Sequence, residues 1–218
     1  MCDNPQEYFS AINEGLNRHP KCKFNVIIDL VRNHGPKSAE ITYEALSNIT
    51  AERIVGFGLG GDEKSYSIEA FADLFVQAKK DGFFTSIHSG EVGDANSVMR
   101  TIELVSPHRL GHAISAAYSK EALNMMKDQG TIVECTISSN IKLGLVGNYK
   151  EHPIKVFNRE KIPFVLGTDD SLFFNTSIQR EYQLCEKICN LDRQAMEELS
   201  NRQKKLSARK LLNESKLK

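Results

Sequence analysis

The chain has 218 residues, a formal net charge of zero and 26% charged residues, so it can bury a sizeable core as one domain or form most of a larger one. The neutral balance gives no indication of binding to nucleic acid or to an anionic membrane surface. No apolar run approaches the roughly 18 residues that a membrane span needs. The five cysteines are odd in number and lack close pairs, and the polar N-terminus is not a signal peptide, so we expect a cytoplasmic protein.

Apolar, β-rich runs alternate with amphipathic helical patterns along the chain. The strands are predicted at residues 24–31, 54–59, 83–88, 109–113, 131–136 and 163–168. The helices are predicted at residues 5–18, 38–46, 67–80, 95–105, 119–126 and 152–159, with two more from about residue 177 that break near residues 190–192. Six strand–helix alternations with short connections predict a parallel sheet of βα units, in a single domain over residues 1–218.

Two architectures fit this alternation. A closed (β/α)₈ barrel of the TIM type needs eight units, and six are predicted here. An open, doubly wound sheet is the alternative, but the glycines of residues 56–61 lie inside a strand and make a poor dinucleotide-binding turn. Functional groups at many successive strand ends suit a barrel mouth. We therefore predict an incomplete TIM barrel of about six βα units plus C-terminal helices.

Polar residues follow five successive predicted strands. They are Gly60-Gly61-Asp62-Glu63, His88 with Glu91, His112, Ser138-Ser139-Asn140, and Asp169-Asp170. Ligands bind at the carboxyl ends of strands in such sheets, and a neutral imidazole fixed by a strand is a good zinc ligand. Each residue also has a structural explanation when it is taken alone: a histidine bonded to a carbonyl, a core histidine, or a loop turn or helix N-cap for the aspartates. His108 is predicted to be a surface loop residue.

Taken together, these segments resemble the motifs of adenosine deaminases. Ile-His-Ser-Gly-Glu91 is similar to their His-Ala-Gly-Glu, Arg-Leu-Gly-His-Ala113 to Arg-x-Gly-His-Gly, and Thr-Asp-Asp-Ser171 to Thr-Asp-Asp-Pro. Residues 56–63 resemble the Gly-Asp-Glu strand end, and residues 134–140 resemble Glu-x-Cys-Pro-x-Ser-Asn without its proline. The order and approximate spacing of all five agree with the family. Ser89, Ala113 and Ser171 stand where the family has Ala, Gly and Pro.

The resemblance implies zinc-dependent hydrolytic deamination of adenosine and deoxyadenosine to inosine and deoxyinosine. A bound Zn²⁺ lowers the pKa of water to about 7 and so provides a nucleophile at neutral pH. His88 and Asp169 are then metal ligands, and Glu91 is the acid that protonates the purine ring. His112 orients the attacking water, Asp170 hydrogen-bonds the purine and helps direct the nucleophile, and the backbone of Gly61 contacts the base.

One family motif is missing from the sequence. The family takes two zinc ligands from a His-x-His at the end of its first strand, and no His-x-His occurs among the six histidines here. The chain therefore resembles the last three-quarters of the family barrel. Three interpretations remain: a deaminase completed by a separate N-terminal chain or lacking it through a truncated gene model, a non-catalytic relic or nucleoside-binding protein that self-associates through its open sheet edges, or a deaminase of adenine or another purine derivative.

Overall fold

The computed structural model of the protein describes residues 5–18, 24–47, 53–208 and 212. The strands are β1 (Val26–Asp29), β2 (Ile54–Leu59), β3 (Phe84–Ser89), β4 (Arg109–His112), β5 (Ile132–Cys135) and β6 (Phe164–Leu166). The helices are α1 (Pro5–Asn17), α2 (Gly35–Ser47), α3 (Ala72–Lys80), α4 (Ala95–Val105), α5 (Lys120–Asp128), α6 (Ile137–Lys142), α7 (Ile154–Arg159), α8 (Ile178–Cys189) and α9 (Arg193–Lys205). Short 3₁₀ helices lie at Arg32–His34, Ile68–Ala70, Ile114–Tyr118 and Tyr149–Glu151.

The six described strands form one parallel sheet in the order β1-β2-β3-β4-β5-β6. A doubly wound sheet reverses its strand order at a switch point, and this sheet has no such reversal. Right-handed crossovers between sequential parallel strands place the connecting helices on the same face. The order of the strands is therefore that of a barrel wall, and the doubly wound alternative is excluded.

The helix-covered face of the sheet is the hydrophobic core. Strands β4 to β6 pack against α4, α5, α7 and α8 through a cluster that includes Leu110, Val133 and Phe164, all essentially inaccessible to solvent. Strands β1 to β3 pack against α2 and α3 through a second cluster around Phe57 and Phe75. Burial of such side chains stabilises a fold by about 1.5–3 kcal/mol each. The sheet is thereby held rigid, and the positions of its strand ends are fixed.

The opposite face of the sheet carries a polar network. Arg109 donates to Glu134 at 2.9 Å, and the hydroxyl of Ser86 donates to the other carboxylate oxygen at 2.7 Å. The Arg109 guanidinium also lies 5.1 Å from the Phe84 ring centroid and donates to the Leu206 carbonyl. The side chains of β3, β4 and β5 therefore meet across this face, as interior residues of a barrel do.

Helix α9 covers the outer edge of β6. The Gln203 side chain donates from Nε2 to the Leu166 carbonyl at 2.9 Å and accepts from the Leu166 N–H at 3.1 Å. Tyr182 of α8 donates to the same amide oxygen at 2.9 Å. The amide therefore occupies the two backbone groups of Leu166 that a pairing strand would use.

The predicted strands and helices are found in the structure in the predicted order. Two predictions are corrected, one about residues 137–142 and one about His108. Residues 137–142 form helix α6, whereas the sequence predicted only a polar strand end there. His108 is not a surface loop residue: its ring lies half-buried at 4.9 Å from Phe84, and its Nδ1 accepts from the Thr85 N–H at 3.1 Å. Ser119 caps α5 as expected. Predicted features at residues 19–23, 48–52, 209–211 and 213–218 lie outside the described residues. None of the described helices has the length and apolar character needed to cross a membrane.

Candidate active site

Three of the predicted site residues meet where β3 and β4 end. The ligand atoms of His88, Glu91 and His112 all lie within 4.8 Å of one another. His88 and His112 form an edge-to-face ring contact with centroids 4.5 Å apart, and His112 Nε2 is 3.5 Å from Glu91 Oε2. A cavity of about 250 Å³ is lined by both histidines and by Asp169. His88, Glu91 and His112, which were predicted at successive strand ends, therefore lie together in space.

The backbone at these strand ends has unusual geometry. His112, Ala113 and Asp169 have positive φ angles of 63°, 48° and 53°. Residues other than glycine rarely adopt this region, and such strain concentrates at functional sites. Gly111 is required for a different reason, because a Cβ atom there would lie 2.5 Å from Cδ2 of His88. The ends of β4 and β6 are thus shaped to fit the two histidines and Asp169 around one cavity.

Glu63 holds the turn that carries Glu91. Its Oε2 accepts from the backbone N–H groups of Gly90 and Gly93 at 3.0 and 2.9 Å, and its Oε1 accepts from the N–H of Glu91 at 3.0 Å. Hydrogen bonds to an ionised carboxylate are among the strong ones in proteins. The position of Glu91 relative to β3 therefore depends on a carboxylate delivered by the end of β2.

His112 is buried and hydrogen-bonded on one side only. Its Nδ1 lies 3.0 Å from the Thr136 hydroxyl and 3.1 Å from Nδ2 of Asn140, while Nε2 faces Glu91. Burial lowers the pKa of His112 to about 3, with the nearby His88 and His152 adding to the shift. His112 is therefore neutral at physiological pH and has one N–H to donate.

Glu91 is in an environment that favours its protonated form. Burial raises the pKa of Glu91 above its ordinary value of 4.5, His88 opposes the shift, and the charges of Asp169 and Glu63 add to it. A carboxyl group whose pKa is raised in this way, next to a candidate metal site, is suited to a role as a general acid.

Asp169 lines the same cavity and is oriented by a neighbour. The buried Ser139 hydroxyl donates to Asp169 Oδ2 at 2.6 Å. Asp170 is exposed, and its backbone N–H donates to Asp169 Oδ1 at 3.0 Å. Gly61 lies at the end of β2 with φ +86°, and a side chain there would meet Asn33 Oδ1 at 2.5 Å. These three residues lie at the predicted strand ends, outside the close histidine–glutamate cluster.

The three departures from the family motifs have different surroundings. Ser89 is buried, and its hydroxyl lies 3.0 Å from that of Thr101 on α4, so it faces the helix layer. Ala113 is fully buried in the left-handed region, where a glycine would fit without strain. Ser171 lies in the turn after β6, and its carbonyl accepts from the Thr176 N–H at 3.1 Å.

Several residues that contribute to the site were not singled out from the sequence. Thr136 and His152 belong to this group, as does Asp29 at the end of β1, whose carboxylate interacts electrostatically with His88. Burial raises the pKa of Asp29, with His88 opposing the shift. The predicted strand ran to residue 31 and placed Asp29 inside it, so the sequence did not indicate its position at the strand end. A larger cavity of about 490 Å³, between the Glu63 segment and α4, shares no residue with the histidine cavity and lies away from the chemistry.

The available donors match those of catalytic zinc sites. Two imidazoles and a carboxylate are a recurring set of three protein ligands for zinc, with an open position for water. Here His88 can be combined with Asp169, or with Glu91 and His112. The second combination is a complete set of this kind. The first supplies one imidazole and one carboxylate, and it lacks the two His-x-His ligands that the family uses.

Comparison with known proteins identifies the family of this chain. The sequence matches the adenosine deaminase family over residues 4–217. It is 32% identical over 180 residues to an adenine deaminase of Rhizobium johnstonii, covering 81% of this chain and 56% of the relative. It is 31% identical over 190 residues to an adenosine deaminase of Clostridium perfringens, covering 86% and 57%. The N6-methyl-AMP deaminase of Arabidopsis thaliana has the same fold, with a TM-score of 0.84 and 23% identity over 92% of this chain and 62% of that one.

The chain belongs to the adenosine deaminase family, and the resemblance found in its motifs is confirmed. The six parallel strands of the described residues, with their helices, correspond to part of a (β/α)₈ barrel, as predicted. The chain spans a little over half the length of the curated relatives that it matches.

Proposed function

We propose that the protein contributes to the zinc-dependent hydrolytic deamination of a 6-aminopurine, with adenosine and deoxyadenosine as the first substrates to test. The observation that carries this proposal is the cluster of His88, Glu91 and His112, in which a carboxyl group of raised pKa lies beside two imidazoles. Hydrolysis of an aromatic amine needs an activated water and a proton donor on the same side of one cavity. In this cluster Glu91 can act as the proton donor, and His88 can help to hold the metal that would activate the water.

His88 and Asp169 are proposed to hold the metal. When bound, zinc supplies a water whose pKa is lowered to about 7, a nucleophile at neutral pH. The hydrogen bond from Ser139 to Asp169 supports this role, since metal-binding carboxylates are usually oriented by outer hydrogen bonds.

The remaining residues are proposed to move and direct protons. Glu91 donates its proton to the ring nitrogen beside the carbon under attack. His112 directs its N–H toward the attacking water and stabilises the charge that develops on the substrate. Asp170 hydrogen-bonds the purine and helps direct the nucleophile, and the backbone of Gly61 contacts the base edge. The exposure of Asp170 and Gly61 at the mouth of the sheet is consistent with substrate contact.

A complementing segment is part of this proposal. The sequence has no His-x-His, and within the described residues β1 pairs only with β2, so its outer edge is open. An N-terminal chain that adds strands at this edge would close the barrel and bring further imidazoles to the cavity. Association of two copies through their open edges is the other arrangement to test, because unpaired edges favour strand addition.

Two further functions remain candidates. Deamination of adenine, or of a related purine derivative, is favoured by the similarity to adenine deaminases. A non-catalytic nucleoside-binding protein is favoured by the missing His-x-His, since two histidine ligands expected from the family do not occur in the sequence.

The experiment is to purify the 218-residue chain and measure zinc by elemental analysis. Release of ammonia from adenosine, adenine, AMP and N6-methyl-AMP is followed on the same samples. Glu91→Gln is the catalytic variant. Glu121→Gln, an exposed residue on α5, is the matched control.

Zinc in a fixed ratio with turnover that Glu91→Gln abolishes and Glu121→Gln retains would support the proposal for the chain alone. If the chain is inactive, the assay is repeated after adding a peptide that carries the family's His-x-His half. Calorimetric binding of adenosine without turnover in either assay would favour the nucleoside-binding function and contradict the proposed reaction.

A further inference from the structure

His112, Asn140 and His152 form a line of three buried polar side chains. Asn140, in α6, and His152, just before α7, are 1% and 2% exposed. Nδ2 of Asn140 lies 3.1 Å from Nδ1 of His112, and Oδ1 of Asn140 lies 3.2 Å from Nε2 of His152. At the far end, the backbone N–H of Ile154 donates to Nδ1 of His152 at 3.2 Å. The line starts at a backbone group and ends at the cavity.

The direction of each hydrogen bond follows from that backbone group. An amide N–H can only donate, so Nδ1 of His152 carries a lone pair and the proton of this imidazole is on Nε2. That proton is donated to Oδ1 of Asn140, which fixes the orientation of the amide. Nδ2 of Asn140 therefore donates to Nδ1 of His112. The proton of His112 is consequently on Nε2, the atom 3.5 Å from Glu91.

We propose that His152, acting through Asn140, is a positioning residue that holds His112 in the Nε2-protonated tautomer. The Thr136 hydroxyl also reaches Nδ1 of His112, at 3.0 Å, but a hydroxyl can donate or accept and so adapts to either tautomer. The amide of Asn140 cannot adapt, because reversing it would place its NH₂ group against the N–H of His152. The choice of tautomer therefore comes from His152 and ultimately from the Ile154 backbone.

The tautomer of His112 decides whether this residue can bind the metal or can only donate a hydrogen bond. A histidine ligand needs a lone pair on the atom that faces the metal. With its proton on Nε2, His112 offers the cavity an N–H donor instead. His112 is thereby a donor to the attacking water or to the substrate, and the metal-binding role falls to other residues of the cavity. This consequence for catalysis rests on the proposed function, whereas the tautomer itself does not.

The test is a two-bond ¹H–¹⁵N NMR spectrum of the uniformly ¹⁵N-labelled, metal-free protein, which identifies the protonated nitrogen of each imidazole. The signals of His112 are those lost in His112→Gln. The wild-type protein should show a protonated Nε2 at His112. Asn140→Asp replaces the donor with an acceptor of the same shape, so the proton should move to Nδ1. A wild-type ring protonated on Nδ1, or an unchanged tautomer in Asn140→Asp, would overturn the proposal.

His152 is tested with a matched pair that remains useful if Asn140→Asp does not fold. The side chain of His152→Gln can place an N–H near the position of Nε2, whereas His152→Leu removes it. The glutamine variant should keep the Nε2 tautomer, and the leucine variant should show a mixture of tautomers. An identical wild-type tautomer in both variants would show that His152 has no positioning role.

Activity gives the second readout, in the chain or complex that shows turnover. Asn140→Asp and His152→Leu should lower kcat by about 10- to 100-fold with a smaller change in KM, and His152→Gln should restore most of the rate. If no turnover is found, the proposed function fails while the tautomer is still decided by NMR. If turnover exists and kcat is unaffected by a shifted tautomer, the positioning role is overturned while the function remains.

Discussion

The carboxylate of Glu63 accepts a hydrogen bond from the backbone N–H of Glu91 at 3.0 Å. This contact joins the segment after β2 to the turn after β3, and the two residues are 28 positions apart in the sequence. Two more N–H groups of the same turn donate to Glu63, so its two oxygens accept three backbone bonds. The second acidic residue of the Gly-Asp-Glu strand end is thus explained as a support for the proposed general acid.

Replacing Glu63 with glutamine should destabilise the turn and lower activity. The new amide group would face the N–H of a turn residue, leaving at least one buried donor without an acceptor. Such losses cost about 1–3 kcal/mol, which is the decrease expected in the free energy of unfolding in urea. Glu69→Gln is the control, because Glu69 is exposed and bonded to the exposed Arg100. Equal effects of the two changes would contradict the supporting role of Glu63.

The fold was predictable to the extent that it depends on local patterns. Residues 54–59 are a strand as predicted, because a short continuous apolar run suits a strand that is buried on both faces, and residues 55–59 are all buried. The alternation of strands and helices then determined the parallel order. Helix α6 could not be predicted in the same way, because Ser138, Ser139 and Asn140 are typical of loops and caps. Their burial in tertiary contacts overrides that preference.

The sequence predicted which residues form the candidate site, but it did not predict the hydrogen bonds that connect them to buried residues elsewhere in the fold. Strand ends converge in any parallel barrel, and this explains why His88, Glu91 and His112 could be grouped from the sequence. The pairing of Asn140 with His152 depends on how α6 and the segment before α7 pack, which no local pattern encodes. The same holds for Gln203, whose contact with Leu166 joins residues 37 positions apart.

Removal of the Ser139 hydroxyl should weaken zinc binding. Ser139→Ala deletes the donor at 2.6 Å that orients Asp169, and loss of such outer contacts typically reduces metal affinity by about 10- to 100-fold. Affinity is measured by competition with a chromophoric chelator, in the chain or complex that binds zinc. Ser138→Ala is the matched control, because that buried hydroxyl contacts Thr176 at 3.2 Å and not Asp169. The same loss of affinity in both variants would argue against an orienting contact.

The raised pKa of Glu91 should appear in the pH dependence of stability. Below its ordinary value of 4.5, Glu91 is protonated in both the folded and the unfolded protein. As the pH rises from there through the raised pKa, the unfolded state loses this proton first, so the folded state loses relative stability. Glu91→Gln cannot ionise and should therefore become more stable relative to the wild type over this interval.

The measurement is the free energy of unfolding in urea across this pH range, in the presence of a chelator, for the wild type and for Glu91→Gln. Glu121→Gln, exposed on α5, is the control and should follow the wild-type curve. A wild type that gains stability over Glu91→Gln with rising pH would mean that the pKa of Glu91 is lowered by folding.

Gln203 should limit association of the protein through the β6 edge. Its amide bonds both backbone groups of Leu166, so a second chain must displace it before pairing with this strand. In Gln203→Ala the two backbone groups become available, and exposed strand edges favour pairing between chains. Sedimentation velocity should therefore show a larger dimer or oligomer fraction for Gln203→Ala than for the wild type at equal concentration. Lys204→Ala, an exposed neighbour on α9, should not change the distribution. If Gln203→Ala sediments as the wild type does, Gln203 does not limit association through the β6 edge.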